Sequence, residues 1–331
     1  MMKKILLIIS LSIICSQSQV GTTSANFLGI GLGARAIGMG GAYCSLNIDP
    51  SVIYWNPGAI ARFNEDKFLM SNTSWLLDTD LYFSTYINKI DSSRSIGFYW
   101  SYLDYGKDEV YTLDDQNGTG LFWDASDLVF GGTYASNLTD RFSFGAGIKY
   151  ISQNIYNESA STFALDAGLL YTSEDGSFNI GMSISNIGFD MILSGKDLYQ
   201  IIDIDPDNDG NNQTIVANLN TDYFPIPIIY RMGLSSKKPI TDNLKLLSSI
   251  DAVIPSDDVE HLNLGFELSY FDRAFLRCGY RKIGNSDSEQ GLTLGLGTKL
   301  YVFGLDFTLN YAYQDFGIFG YIPYIDFEFN L

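Results

Sequence analysis

From about Lys67 to Leu331 the chain alternates large apolar residues with polar ones. Its last residues show the pattern: Ile325, Phe327, Phe329 and Leu331 alternate with Tyr324, Asp326, Glu328 and Asn330. Residues 261–270 repeat it, with Leu262, Leu264, Phe266, Leu268 and Tyr270 set against His261, Asn263, Gly265, Glu267 and Ser269. A period of two sends successive side chains to opposite faces of a strand. A soluble sandwich would turn the apolar phase inward and expose the charges. Here the alternation recurs along most of the chain, and no helical pattern is left to cover a second face. A membrane barrel inverts the arrangement, with the apolar phase against lipid and the polar phase in the lumen. A periplasmic sandwich would explain the strands but not the lack of outward charge.

Fourteen segments carry the pattern, at roughly 66–76, 79–90, 94–104, 125–138, 141–153, 161–173, 177–189, 226–237, 243–254, 260–271, 273–282, 290–302, 304–315 and 321–331. The count is even, as bacterial single-chain barrels require. If the first strand rises from the periplasm, the two longest connections, about 105–124 and 190–225, both fall outside the cell. The tight ones, at Leu138-Thr139-Asp140, Asp272 and Phe303, fall on the periplasmic side. That asymmetry is the one expected of an outer-membrane barrel. Lys149, Asp166, Arg231, Lys245, Asp251, Glu267, Arg277, Arg281, Lys299, Asp306, Asp326 and Glu328 all lie on the polar phase, and no strand charge is expected on the apolar one. A Lys or Arg facing lipid at mid-bilayer costs about 2–4 kcal/mol. The inward phase is also rich in glycine, which lets another backbone come close to the wall.

Residues 1–18 read as a signal peptide, with basic Lys3 and Lys4, an apolar run from Ile5 to Ile14, and Ser16 and Ser18 before the cleavage region. Losing two lysines and no acid takes the net charge from −18 to −20, which argues against nucleic acid as a partner. Tyr and Phe number 22 each, in keeping with the aromatic girdles of a barrel. Cys44 and Cys278 are too few for a disulfide scaffold, and Cys278 shares the outward phase of its strand while Cys44 lies in the N-terminal segment. The expected fold is therefore all-β: a transmembrane antiparallel barrel of about 14 strands (65–331) with an N-terminal hatch (19–64) in its lumen. A barrel this wide is not filled by its own wall side chains.

The hatch segment is compositionally distinct. It runs Gly33-Ala34-Arg35-Ala36-Ile37-Gly38-Met39-Gly40-Gly41-Ala42-Tyr43, then Asp49-Pro50, then Tyr54-Trp55-Asn56-Pro57-Gly58-Ala59. A short helix is expected near 34–47, followed by a compact turn. Gly38, Gly40 and Gly41 suit close backbone approach, Asn56-Pro57 fixes a turn, and Arg35 is a cation able to pair with a lumen acid. These motifs resemble the PorV/PorQ proteins, a branch of the FadL-like outer-membrane barrels, whose members share G-A-R-A-x-G-M-G-G-A and a later W-N-P-A-G. Gly58-Ala59 inverts the last pair.

The resemblance implies an integral outer-membrane barrel, with Arg35, Gly38, Gly40, Gly41, Trp55, Asn56 and Pro57 in its hatch. It implies one of two roles. PorV-like members serve type IX secretion, docking the signal domains of exported cargo and passing them to the surface machinery alongside a translocon. FadL-like members pass long-chain fatty acids or other hydrophobic small molecules.

Two further features are legible from the residues. Glu267, Arg277, Arg281, Lys299, Asp306, Asp326 and Glu328 stand on neighbouring inward phases and are expected to form a lumen charge network. Asp205, Asp207 and Asp209, closed by Gly210, have the alternate spacing of a calcium loop. The twelfth position of that template is Val216 rather than Glu, so either a solvated acidic loop or a weak extracellular Ca²⁺ site fits. A lone His261 builds neither a zinc site nor a triad, and Ser, Cys and His show no catalytic arrangement, so no enzyme activity is expected.

Overall fold

The computed structural model describes residues 21–203, 215–302 and 305–331. The expected signal peptide, Asp205, Asp207 and Asp209, and the Phe303 turn lie outside the described residues.

Fourteen strands close into one antiparallel barrel. They are β1 (Lys67–Ser74), β2 (Asp80–Lys89), β3 (Arg94–Glu109), β4 (Phe122–Asn137), β5 (Phe142–Ile155), β6 (Glu158–Thr172) and β7 (Phe178–Gly188). The second half comprises β8 (Ile229–Thr241), β9 (Leu244–Pro255), β10 (His261–Tyr270), β11 (Ala274–Ile283), β12 (Leu292–Val302), β13 (Leu305–Asp315) and β14 (Tyr321–Asn330). Apart from the seam, neighbours among the fourteen are sequence neighbours, and Ser194–Gly195 adds a short pairing to β6. The seam joins first to last strand, from Lys67↔Asn330 to Thr73↔Tyr324. Closure leaves no free sheet edge, which is what a lipid environment demands of backbone N–H and C=O groups. No described helix is long and apolar enough to cross a membrane.

The burial pattern follows the phases. Along β10, His261, Asn263, Gly265, Glu267 and Ser269 are buried while Leu262, Phe266 and Tyr270 are exposed. The outer surface is a band of such residues, among them Phe98, Trp100, Phe130, Phe163, Met232 and Leu296. A few charges depart from the expected segregation, among them Asp80, Arg94, Asp104, Asp124 and Lys238, which share the outward phase of their strands. Asp80, Arg94, Asp124 and Lys238 sit near strand ends and Asp104 pairs with Asp80 at the start of β2, where the penalty falls to about 0–1 kcal/mol.

The connections divide by mouth. One end carries 110–121 and 189–228; the other carries 90–93, 138–141, 173–177, 242–243 and 271–273. Long connections mark the outer mouth of such barrels. β3 and β4 outrun the expected 94–104 and 125–138. Their ladder shifts register between Asp104 and Lys107, at Gly106 with φ +77°, and continues to the pair Glu109↔Phe122. The 189–228 connection carries a small antiparallel ladder of Tyr199–Ile202 with Ile215–Asn218.

The N-terminal segment fills the lumen. Its helices are shorter than the expected 34–47: α1 (Ala34–Gly38) and α2 (Val52–Trp55), flanked by 3-10 turns at Asn26–Gly29 and Pro57–Arg62. Gly40 and Gly41 take φ values of +66° and +72° and end α1 early. Ile37, Met39, Tyr43, Leu46, Ile53 and Ile60 are fully buried within the barrel.

Candidate functional site

The hatch meets the wall through backbone contacts and through buried charges. Gly40 approaches so closely that a Cβ there would lie 2.5 Å from the Leu264 carbonyl oxygen. Gly38 faces Gly295 of β12, and Gly279 of β11 faces Gly40 itself. Gly41 turns instead toward Trp55, Asn263 and Arg281. On the opposite wall, Gly145 and Gly168 make room for the Pro57–Gly58 backbone.

Around the WNP turn, the Asn56 amide donates to the Cys44 carbonyl at 2.7 Å and to the Leu169 carbonyl of β6 at 2.9 Å. Its oxygen accepts from the Gly58 N–H at 3.0 Å, and Pro57 opens the next turn. The Trp55 indole donates to the Leu32 carbonyl at 2.9 Å, tying the two halves of the hatch together. Asp49 accepts from the Tyr43 hydroxyl and from the Ser51 N–H and hydroxyl. The Asp-Pro-Ser turn is thus organised by one buried carboxylate.

Wall carboxylates hold hatch groups from outside. The Arg35 guanidinium forms a two-pronged contact with Glu267, at 2.8 and 2.6 Å. Arg277, on the neighbouring strand and 1% exposed, donates to the same carboxylate at 2.6 Å and to Asn310 at 2.9 Å. Both guanidinium groups also lie over the Phe275 ring, at 4.9 and 5.3 Å from its centre. Asp251 accepts from the backbone N–H groups of Tyr43 and Cys44, each at 2.8 Å. Asp326 accepts from the Ala34 N–H at the start of α1.

The remaining residues of the expected network do not join this centre. Glu328 pairs with Lys67 of β1 at 3.0 Å across the seam. Lys299 pairs with Asp306 at 2.7 Å, with both side chains about one-third exposed. Among the described residues Arg281 meets no carboxylate; it donates to Gln314 at 3.3 Å. The seven residues therefore divide into separate groups. Sequential strands do bring opposite charges side by side, but pairing distance is set by depth along the barrel axis.

Above the hatch, at the outer mouth, lies a cavity of about 210 Å³. Tyr54 and Trp55 of the hatch form part of its floor, and Arg231, His261, Arg281 and Gln290 stand on its walls. Arg231 donates to Ser185 at 3.2 Å and lies over the rings of Tyr54 and Trp55, at 5.2 and 5.4 Å. The His261 ring nitrogen Nδ1 donates to the Val259 carbonyl at 2.9 Å. No described cluster of His, Cys, Asp and Glu could hold a metal ion.

The family comparison bears on this hatch. The family described as "Type IX secretion system protein PorV" matches residues 14–201, which include the whole hatch and the first seven strands. The chain belongs to the PorV family. Among curated proteins no match was found. Among the solved structures that share the fold of this PorV-family protein are three channels and transporters. The CymD monoaromatic hydrocarbon channel has a TM-score of 0.56 at 13% identity, covering 91% of this chain and 98% of its own. The Pseudomonas putida toluene transporter TodX gives 0.54 at 12%, covering 90% and 97%. The Ralstonia pickettii toluene transporter TbuX gives 0.53 at 12%, covering 91% and 98%. The protein is therefore an integral outer-membrane barrel with the fold of these channels and transporters.

Sequence reasoning does not single out Asp251, Asp49 or Arg231 as members of the site. Asp251 and Arg231 are visible only as inward charges. Asp49 is marked only by its place beside Pro50.

Proposed function

We propose that the protein works in type IX secretion as a docking or shuttle barrel for exported cargo at the cell surface. The observation that carries this reading is the family match over residues 14–201. The hatch supports it, because a plug tied by Asp251, Glu267 and Asp326 on several sides suits a receptor whose lumen stays closed. The exposed aromatic and aliphatic residues of the 189–228 connection, including Tyr199, Ile201, Val216 and Tyr223, give a surface for a protein partner at the outer mouth. Tagged protein purified in mild detergent from its own cells should bring with it the secretion translocon or cargo bearing an intact signal domain. Recovery of the barrel without either, from cells that are secreting, would overturn the reading.

The second reading is a channel for hydrophobic compounds. The shared fold with hydrocarbon transporters favours it. Retained fatty acid or hydrocarbon in the purified protein, with no secretion partner, would select it.

A further inference from the structure

We propose that the cavity above the hatch binds a ligand's carboxylate between Arg231 and Arg281. Both guanidinium groups are buried, with the residues 5% and 6% exposed, and both line the same cavity. Among the described residues neither makes an ion pair. Arg231 has only the Ser185 hydroxyl at 3.2 Å, the Tyr54 hydroxyl at 3.5 Å and two ring faces. Arg281 has only Gln314 at 3.3 Å, and its buried Nε has no hydrogen-bond partner. A buried cation without a counter-charge is costly to keep. Here two of them share one chamber.

Elsewhere in the lumen the cations are treated otherwise. Arg35 and Arg277 share Glu267, Lys149 meets Asp166 at 2.7 Å, and Lys67 meets Glu328. Among the described lysines and arginines that are buried, these two are the exceptions, and both border the chamber. Asp257 and Asp258 also line the cavity, but Asp258 is engaged by Lys282 at 2.6 Å and neither lies within ion-pair distance of the two arginines. A planar guanidinium matches a carboxylate with two parallel N–H donors, and a pair of them matches it from two sides.

The chamber's size narrows the ligand. At about 210 Å³ it is smaller than the roughly 300–1,000 Å³ of pockets that enclose a whole small molecule. It therefore takes one end of a longer ligand, with Tyr54, Trp55 and Trp75 beside the first carbons. The free C-terminus of a protein and the head of a fatty acid offer the same carboxylate. This inference deepens the docking reading above, but it is tested on the purified barrel alone, so its failure is separate from a failure to co-purify a translocon.

The experiment is titration calorimetry on the purified protein with three probes: a hexapeptide ending in a free carboxylate, the same peptide as its C-terminal amide, and dodecanoate. Binding of the free-acid peptide but not the amide, weakened at least tenfold in both Arg231→Gln and Arg281→Gln, supports the site and assigns it to a protein end. Binding of dodecanoate alone with the same dependence supports the site and assigns it to a lipid acid. Arg281→Lys, which keeps the charge and loses the fork, should bind better than Arg281→Gln in either case. Heat-modifiability on gels confirms that each variant is a closed barrel. The proposal is overturned if no carboxylate binds the folded wild type, if the amide binds as well as the acid, or if the glutamine variants bind as the wild type does.

Discussion

Arg277 and Arg281 stand four positions apart on the same strand and face the same lumen, yet their surroundings are opposite. Arg277 shares Glu267 with Arg35 and reaches Asn310, so its charge is answered within the protein. Arg281 lies nearer the outer mouth, has one amide partner and borders an open chamber. The deeper residue is part of what fastens hatch to wall. The shallower one is held ready without a counter-charge. One strand thus serves retention at one depth and recognition at another.

The largest expected effect comes from breaking the fastened side. Glu267→Ala strands two buried guanidinium groups and should cost about 3–5 kcal/mol, the price of a buried pair losing one partner. The unfolding temperature in detergent and the heat-modified gel shift report it, and a change comparable to a surface substitution would show the centre to be dispensable. Gly40→Val should come next. It places a branched side chain at φ +66° and against the Leu264 carbonyl, for about 1–3 kcal/mol of strain. The hatch should yield before the wall, so protease sensitivity within 33–43 should rise while the barrel stays closed; an unchanged digestion pattern would mean the close approach is not needed. Arg281→Gln should be nearly neutral, within about 1 kcal/mol or slightly stabilising, because it removes an unpaired buried charge. A loss as large as that of Glu267→Ala would erase the contrast between the two depths.

The smallest signal is a protection measurement. Cys44 is fully buried in the hatch and burial pushes its thiol up, away from the reactive thiolate, while Cys278 is exposed on the outer face. A thiol reagent should label Cys278 in detergent and reach Cys44 only on unfolding. Rapid labelling of Cys44 in the folded barrel would show a hatch that opens on its own.

The wall was the most legible part of the molecule because lipid penalises error. Glu267, Arg277 and Asp326 could only face the lumen, and the alternation of β10 to β14 says so residue by residue. Legibility fails where the penalty stops. Beyond the membrane nothing forces alternation, and so the sequence does not show β3 and β4 running on to Glu109 and Phe122. The same holds for Asp80 and Arg94 at strand ends. Within the hatch, small residues suggest close packing but not its path, and the left-handed glycines at 40 and 41 cut short a helix that composition alone would extend. The pairing of Arg35 with Glu267 spans 232 positions. Arg35 is recognisable as a cation in need of an acid, while the choice of acid depends on depth in the barrel. The cavity is illegible for the same reason, since Arg231 and Arg281 come from strands that meet it from different sides.

The hatch also has a direction. Ser24 bonds to the Pro225 carbonyl in the long outer connection, and Asp66 bonds to the Leu331 N–H beside the seam at the other mouth. The chain therefore threads the full height of the lumen before its first strand begins. A finished ring would leave no side entrance for such a thread. The pairing of β14 with β1 closes the wall around a segment that runs from one mouth to the other.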